Sequence, residues 1–203
     1  MAVAYTIGHS NHSLERFVEL LRQFEVDVVA DTRSQPHSSF CPHFNRESVK
    51  SWLEKSGIRY VYMGKELGGR PEGKQFYDPE GHVFYGKVAD ADFFLRGIER
   101  LERGLSRYRG IALLCSEENP SVCHRRLLIA RVLTSRGIQV HHIRGDGSLQ
   151  SEQELLAAEE AAQLSLFERD AWKSIPSVLP KKPRDSSSKP SETPVFAASS
   201  TSV

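Results

Sequence analysis

The chain has 203 residues, of which 39% are hydrophobic and 26% are charged, as is usual for a water-soluble protein with one globular domain. No apolar run approaches the roughly 20 residues needed to span a bilayer, and the N-terminus lacks the charged region of a signal peptide, so we expect a cytoplasmic protein with no membrane contact. Its 27 basic and 26 acidic residues give a formal net charge of +1, which excludes an overall field that attracts nucleic acid.

Short apolar segments alternate with helical patterns along most of the chain. Strands are predicted at residues 2–7, 26–30, 58–62, 111–114 and 140–143. Helices are predicted after a cap at Ser13 and at residues 46–55, 91–108, 124–136 and 151–162. This alternation predicts an α/β fold, a three-layer sandwich with a short, mainly parallel sheet of about five strands, Rossmann-like or rhodanese-like.

A long connection separates the third strand from the third helix, between residues 64 and 85. Loops of this length inside a small domain are commonly lids or binding loops. We expect an α/β domain over residues 1–150, and a terminal helix with a docking peptide over 151–168. Residues 169–203 are rich in proline and serine, which leaves too little apolar surface to fold, and predicts a disordered tail.

Polar motifs follow the first, second and fourth predicted strands, at residues 8–11, 31–36 and 115–125. In an open parallel sheet these loops meet at the edge where ligands bind. The candidate catalytic residues in these motifs are His9, Asp31, Cys115 and Glu117. The candidate substrate-binding residues are Ser10, Arg33, His124 and Arg125.

Cys115 ends a predicted strand just before a loop and a helix, where free N–H groups and the helix dipole lower a thiol pKa. The arrangement resembles the loops of rhodanese-like proteins and cysteine phosphatases, but it carries Glu117 and Glu118 where those loops have a cradle of glycine and arginine. The alternative is that Cys115 only fills the strand end. His124 and Arg125 suit capping or anion binding at the helix start as well as catalysis.

Two further pairings are open for acid/base chemistry. Glu117 with His9 or His124 is one, and Asp31 as a base positioned by Arg33 is the other. The alternative for Asp31 and Arg33 is an internal salt bridge that fixes the loop.

No metal and no cofactor are expected from the sequence. The three cysteines, Cys41, Cys115 and Cys123, lack the closely spaced pairs of structural zinc sites. Their odd number, in a chain without a secretion signal, indicates reduced thiols.

Several motifs in order resemble the bacterial family called domain of unknown function 488. They are residues 6–10, 31–38, Phe44, 67–69, Cys115 with Glu117, and 123–125. The resemblance covers roughly residues 3–145, so it implies domain boundaries, but it implies no particular reaction.

A second resemblance lies near the C-terminus. The segment Gln163-Leu164-Ser165-Leu166-Phe167 is similar to the peptide by which bacterial replication and repair proteins dock onto the DNA polymerase sliding clamp. Gln163 would orient the peptide, while Leu164, Leu166 and Phe167 would fill apolar pockets. The alternative is that these apolar residues fold back on the domain.

These observations predict a DNA-maintenance protein that the clamp recruits, with a nucleotide or nucleic-acid site at the carboxyl edge of the sheet. Arg33 and Arg125 are expected to contact phosphate, and Asp31 to orient Arg33. His9 and Glu117 are the candidates for acid/base chemistry, and Tyr77 and Phe84 for base stacking.

One alternative is a small-molecule thiol enzyme, a sulfur or acyl transferase that uses Cys115 with His9 or His124. Another is a non-catalytic module that recognises an anion.

Overall fold

A single six-stranded sheet organises the computed structural model, which describes residues 3–161 and 172–175. The strands are β1 (Val3–Gly8), β2 (Val28–Asp31), β3 (Arg59–Tyr62), β4 (Ile111–Cys115), β5 (Gln139–Ile143) and β6 (Leu149–Ser151). Their order across the sheet is β3-β2-β4-β1-β5-β6. All neighbouring pairs are parallel except β5 and β6. The predicted α/β fold with a mainly parallel sheet is therefore confirmed.

The two faces of the sheet are both covered by helices. The helices are α1 (Leu14–Gln23), α2 (Arg46–Lys55), α3 (Gly64–Leu67), α4 (Tyr85–Ala89), α5 (Asp92–Leu105), α6 (Arg131–Ser135) and α7 (Glu152–Ala161). A π-helix, Arg125–Ala130, leads directly into α6. None of the described helices has the length and apolar character needed to cross a membrane.

Helix α1 begins where the sequence predicts it, because the Ser13 hydroxyl accepts a hydrogen bond from the Arg16 N–H at 3.2 Å. Helix α2 has the predicted bounds, and α5 ends three residues before the predicted end. The predicted helix over 124–136 differs most, since its first part is the π-helix. Helices α3 and α4 were not predicted, because each is shorter than two turns. Helix α3 lies within the long connection, and α4 begins where that connection ends.

Buried apolar side chains form one cluster on each face of the sheet. The first cluster joins the sheet to α1 and α2, through residues such as Phe17, Leu20, Val49 and Leu53. The second joins it to α5, the π-helix and α6, through residues such as Phe94, Ile98, Leu128 and Leu133. Strand β4 is buried along its whole length at the centre, as expected for a parallel strand covered on both sides.

The strand order creates a crevice beside β4. The Rossmann order, 3-2-1-4-5-6, places β1 next to β2, whereas here β4 lies between them. Strand β1 continues into α1 on one face, while β4 continues into the π-helix on the other. Neighbouring strands whose connections leave in opposite directions open a crevice at their carboxyl ends, and this is where α/β proteins bind ligands.

Residues 172–175 lie within the predicted tail but pack against the domain. The Trp172 Nε1–H donates to the Leu127 carbonyl oxygen at 2.7 Å, and the Ser174 N–H donates to the Val83 carbonyl oxygen at 2.8 Å. Trp172 also contacts the cluster around α5. The indole supplies the apolar surface that the proline- and serine-rich composition lacks, so the disorder expected over 169–203 does not apply to these four residues.

Candidate functional site

A cavity of about 760 Å³ opens at the carboxyl edge of the sheet, beside the ends of β1, β2 and β4. This volume suits a small-molecule ligand. The predicted site residues that line it are His9, Ser10, Arg33, Cys115, Glu117 and His124. Asp31 and Arg125 do not line it.

The loops after β1 and β4 extend the pairing of these strands to the cavity. The His9 N–H donates to the Cys115 carbonyl oxygen and the Ser10 N–H to the Ser116 carbonyl oxygen, both at 2.9 Å. Ser10 adopts a left-handed conformation with φ of 46°, which turns the chain away from the sheet. These main-chain hydrogen bonds therefore hold the two loops together, as the sequence predicted.

Arg125 is fully buried and holds the loop after β4 from the inside. Its Nε–H donates to the Thr6 hydroxyl at 3.2 Å, and its Nη2 group donates to the Glu118 carbonyl oxygen at 2.6 Å. Its Nη1 group donates to the Glu117 carbonyl oxygen. The guanidinium faces backbone carbonyls, so the structure gives it a positioning role where the sequence suggested phosphate contact.

Asp31 and Arg33 form the internal salt bridge that the sequence left as an alternative. The two Asp31 oxygens accept from Arg33 Nε at 2.8 Å and Arg33 Nη2 at 2.6 Å, and Asp31 also accepts from the Tyr60 hydroxyl at 2.7 Å. Burial and the Asp31 charge raise the pKa of Tyr60, which keeps that hydroxyl a donor. With Asp31 fully buried, its carboxylate orients Arg33 and has no access to the cavity.

Arg33 keeps donors available beyond this salt bridge. Its Nη1 group donates to the Phe44 carbonyl oxygen at 2.9 Å. A guanidinium has five N–H donors, of which these contacts use three. Because the Arg33 side chain lines the cavity, its other two N–H donors are candidates for binding a ligand there.

His9 presents an unpartnered acceptor. Its Nδ1–H donates to the Ser10 carbonyl oxygen at 2.8 Å, and its ring stacks on Phe44 with the centroids 4.4 Å apart. Burial, together with the Arg33 charge, lowers the pKa of His9 to about 4, so the ring is neutral at pH 7. No described residue pairs with the Nε2 atom, although the side chain is only 4% exposed.

Cys115, Cys123 and His124 form a compact cluster at the cavity floor. The Cys115 Sγ lies 3.5 Å from His124 Nδ1, and the Cys123 Sγ lies 3.9 Å from the same nitrogen. The His124 Nε2–H donates to the Thr32 carbonyl oxygen at 3.1 Å, which leaves Nδ1 facing the sulfurs. Gly69 packs against the His124 ring, where a Cβ would come within 2.7 Å of Cγ.

The two thiols differ in acidity because they are neighbours. A hydrogen bond from Cys123, helped by His124 and Arg125 and opposed by burial, lowers the pKa of Cys115. Burial and the Cys115 sulfur raise the pKa of Cys123, so the shared proton stays on Cys123. Sequence reasoning did not place Cys123 in the site, because seven residues separate the two cysteines and only the fold brings them together.

Other cavity residues differ in what they offer. Glu117 is half-buried, and its carboxylate has no hydrogen-bond or ion-pair partner within the described part of the chain. The neighbouring Glu118 forms an ion pair with Arg144 at 2.7 Å and does not line the cavity. Tyr77 lines the cavity, whereas Phe84 lies elsewhere, with the ammonium groups of Lys87 and Lys173 over its ring.

The predicted clamp-binding residues, Gln163, Leu164, Leu166 and Phe167, lie outside the described residues. Their docking role stays a prediction.

The model of a family described as "Domain of unknown function DUF488" matches residues 13–132, which is more than half of the chain. The matched segment includes Arg33, Cys115 and the residues 123–125, but it begins after His9. Comparisons with curated proteins and with solved structures give no match.

Proposed function

Because the chain belongs to the DUF488 family, whose description assigns no activity, we propose from the site alone that it binds and acts on a nucleotide, free or within a nucleic acid. The observation that carries the proposal is the buried, unpartnered Nε2 atom of His9, within electrostatic reach of Arg33 on the cavity wall. A buried acceptor without a donor costs about 1–3 kcal/mol. A ligand that carries an N–H or O–H donor next to an anionic group would relieve this cost after a small rotation of the His9 ring, because Nε2 lies just below the cavity surface in this structure.

The cation beside His9 suits a phosphate. Two Arg33 donors have no acceptor among residues 3–161 and 172–175, and the Asp31 carboxylate fixes the plane of the guanidinium. A fixed, planar guanidinium matches the geometry of phosphate oxygens. The main-chain N–H groups of Ser116 and Glu117, two further lining residues, donate to no residue within 3–161 or 172–175. Such groups add to anion binding at the start of a loop.

The remaining lining residues suit the rest of a nucleotide. The Tyr77 ring offers a surface on which a base can stack. The Glu117 carboxylate and the neutral His9 imidazole are two cavity groups that can move a proton. A cavity of about 760 Å³ accommodates a nucleoside monophosphate.

The test is a calorimetric titration of the full-length protein with AMP, GMP, CMP and UMP, each compared with its nucleoside and with inorganic phosphate. We expect at least one nucleotide to bind more tightly than both of its parts, because the two halves of the site act on one molecule. Phosphate binding as tight as that of every nucleotide would instead favour the anion-recognition module. No binding of any nucleotide would contradict the proposal.

A second candidate, the thiol enzyme, is favoured by the position of Cys115. Its Sγ lies 3.5 Å from an imidazole that the Thr32 carbonyl oxygen orients, which is the arrangement of a nucleophile, a base and an orienting group. The test is mass spectrometry after incubation with thiosulfate or an acyl thioester. A sulfur atom or acyl group attached to Cys115 would support this candidate, and an unmodified Cys115 would contradict it.

A further inference from the structure

We propose that Cys115, Cys123 and His124 bind a zinc ion whose fourth coordination position opens into the cavity. The inference goes beyond the proposed function and does not depend on it. It rests on the positions of three buried side chains whose ligand atoms all lie within 4.8 Å of one another.

The separations between these atoms suit a tetrahedral ion. Zinc binds sulfur at about 2.3 Å and imidazole nitrogen at about 2.0 Å, so two such ligands at the tetrahedral angle lie about 3.5 Å apart. The observed distances from His124 Nδ1 are 3.5 Å to the Cys115 sulfur and 3.9 Å to the Cys123 sulfur. The three ligands therefore need only a small adjustment to hold the ion.

The surroundings of His124 are those of a metal ligand. A histidine that binds a metal through one ring nitrogen usually donates its other N–H to a carbonyl or carboxylate. The His124 Nε2–H donates to the Thr32 carbonyl oxygen at 3.1 Å, and Thr32 is fully buried. This contact presents the Nδ1 lone pair to the two sulfurs, while Gly69 packs against the ring near Cγ and Nδ1.

The loop that carries these residues is held in place before any ligand arrives. Arg125 donates to the carbonyl oxygens of Glu117 and Glu118, and it directly follows His124 in the chain.

Tyr85 is fully buried within electrostatic reach of both sulfurs, and its hydroxyl has no hydrogen-bond partner among the described residues. That hydroxyl is a donor available to a metal-bound thiolate.

The identity of the ion follows from its ligands. Two thiolates and an imidazole form a soft ligand set, which selects zinc over magnesium or calcium. Two thiolates also cancel the charge of Zn²⁺, and their protons leave to solvent on binding. The burial of all three ligand residues is compatible with a neutral centre.

The cluster has one open side. Cys115 and His124 line the cavity, whereas Cys123 is fully buried behind them. Three protein ligands with an open fourth position are typical of catalytic zinc, which activates a bound water molecule. Zinc binding and the thiol enzyme exclude each other, because a sulfur that is bound to the metal is not free to attack a substrate.

The test measures metal content and ligand type in the full-length protein. The wild-type chain and the variants Cys115→Ser, Cys123→Ser and Cys41→Ser are loaded with zinc, freed of excess metal and analysed by elemental mass spectrometry. We expect one zinc ion per chain in the wild type and in Cys41→Ser, and little or none in the other two variants. Cys41 is the matched control, since it lines the same cavity but is not part of the cluster.

Cobalt substitution keeps the test independent of variant folding. The wild-type protein loaded with Co²⁺ should show the thiolate-to-cobalt charge-transfer absorption and the intense visible bands of a tetrahedral site. A wild-type protein that retains neither metal would overturn the proposal. Zinc retention in Cys115→Ser or Cys123→Ser equal to that of the wild type would overturn it as well.

Discussion

Gly8 and Glu117 are in direct backbone contact at the base of the cavity, where a Cβ atom on Gly8 would lie 1.8 Å from the Glu117 carbonyl oxygen. The absence of a side chain at Gly8 allows the loop after β4 to cross the end of β1. The same Glu117 carbonyl oxygen accepts from Arg125, so the glycine and the buried guanidinium fix the loop from two directions.

Gly8→Ala should therefore displace this loop. Because the clash is with backbone atoms, we expect a loss of about 1–3 kcal/mol in the free energy of unfolding, measured by chemical denaturation. Gly104→Ala in α5 is the matched control, since its Cβ would meet no backbone atom and only the terminal methyl group of Ile111. Alanine also favours a helix, so Gly104→Ala should leave stability similar or higher. Equal effects of the two variants would contradict this account.

The Asp31 to Arg33 salt bridge should be costly to break. Its side chains are 0% and 5% exposed, and Asp31→Asn would leave the guanidinium charge buried without a counter-ion. We expect a loss of about 3–5 kcal/mol in the free energy of unfolding. Glu102→Gln removes one partner of the exposed pair with Arg136 and should cost about 0–1 kcal/mol. A small effect of Asp31→Asn in the same denaturation series would show that the pair does not fix the site.

Asp78 should make stability depend on pH in acid. Burial acts to raise the pKa of its carboxyl group, but hydrogen bonds from the His82 N–H and Lys173 outweigh it and lower the pKa to about 2 from an ordinary value of 3.8. The folded state therefore binds this proton less readily than the unfolded state. The stabilising contribution is present above pH 3.8 and is lost as the pH falls towards 2.

The measurement compares thermal unfolding of the wild type and Asp78→Asn between these pH values. The stability difference between the two proteins should shrink as the pH falls. A difference that stays constant across the range would rule out the lowered pKa.

The segment from Gln163 to Phe167 predicts binding to the DNA polymerase sliding clamp. A pull-down with purified bacterial clamp should capture the full chain and lose it when Leu164, Leu166 and Phe167 are replaced by alanine, because these side chains would fill apolar pockets. Nucleotide binding in the cavity should be unchanged in that variant. Capture that persists at full strength after the substitution would exclude the peptide as the docking element.

Much of the fold could be predicted from local patterns. The five strands of the parallel sheet are short apolar runs between turn residues, and α1 has a serine cap followed by an apolar stripe. Strand β6 was missed because its three residues, Leu149–Ser151, carry no apolar alternation and pair only through the edge of β5. The π-helical winding of Arg125–Ala130 was missed because its sequence is also compatible with an α-helix.

The candidate site could be predicted less completely, for a physical reason. The predicted strand ends indicate which loops meet at the edge of the sheet. From them the sequence analysis expected His9, Arg33 and Glu117 at one site, and all three line the cavity. They do not reveal which way a side chain turns, and Arg125 turns inward to the backbone. The approach of Cys123 to Cys115 depends on the path of the loop between them, which no local pattern encodes.

The central claim concerns the unpartnered acceptor of His9, and the variant His9→Phe tests it most directly. Phenylalanine keeps an aromatic ring to stack on Phe44 but removes the Nε2 lone pair, together with the Nδ1–H that donates to the Ser10 carbonyl oxygen. Calorimetric titration of both proteins with the four nucleoside monophosphates should show binding by the wild type that falls at least tenfold in His9→Phe, which corresponds to about 1.4 kcal/mol. Thermal stability should be nearly unchanged, because the loss of the hydrogen bond to the Ser10 carbonyl oxygen is offset by the removal of an unsatisfied buried acceptor. Equal nucleotide affinity in the two proteins would contradict the claim that a ligand donates to His9.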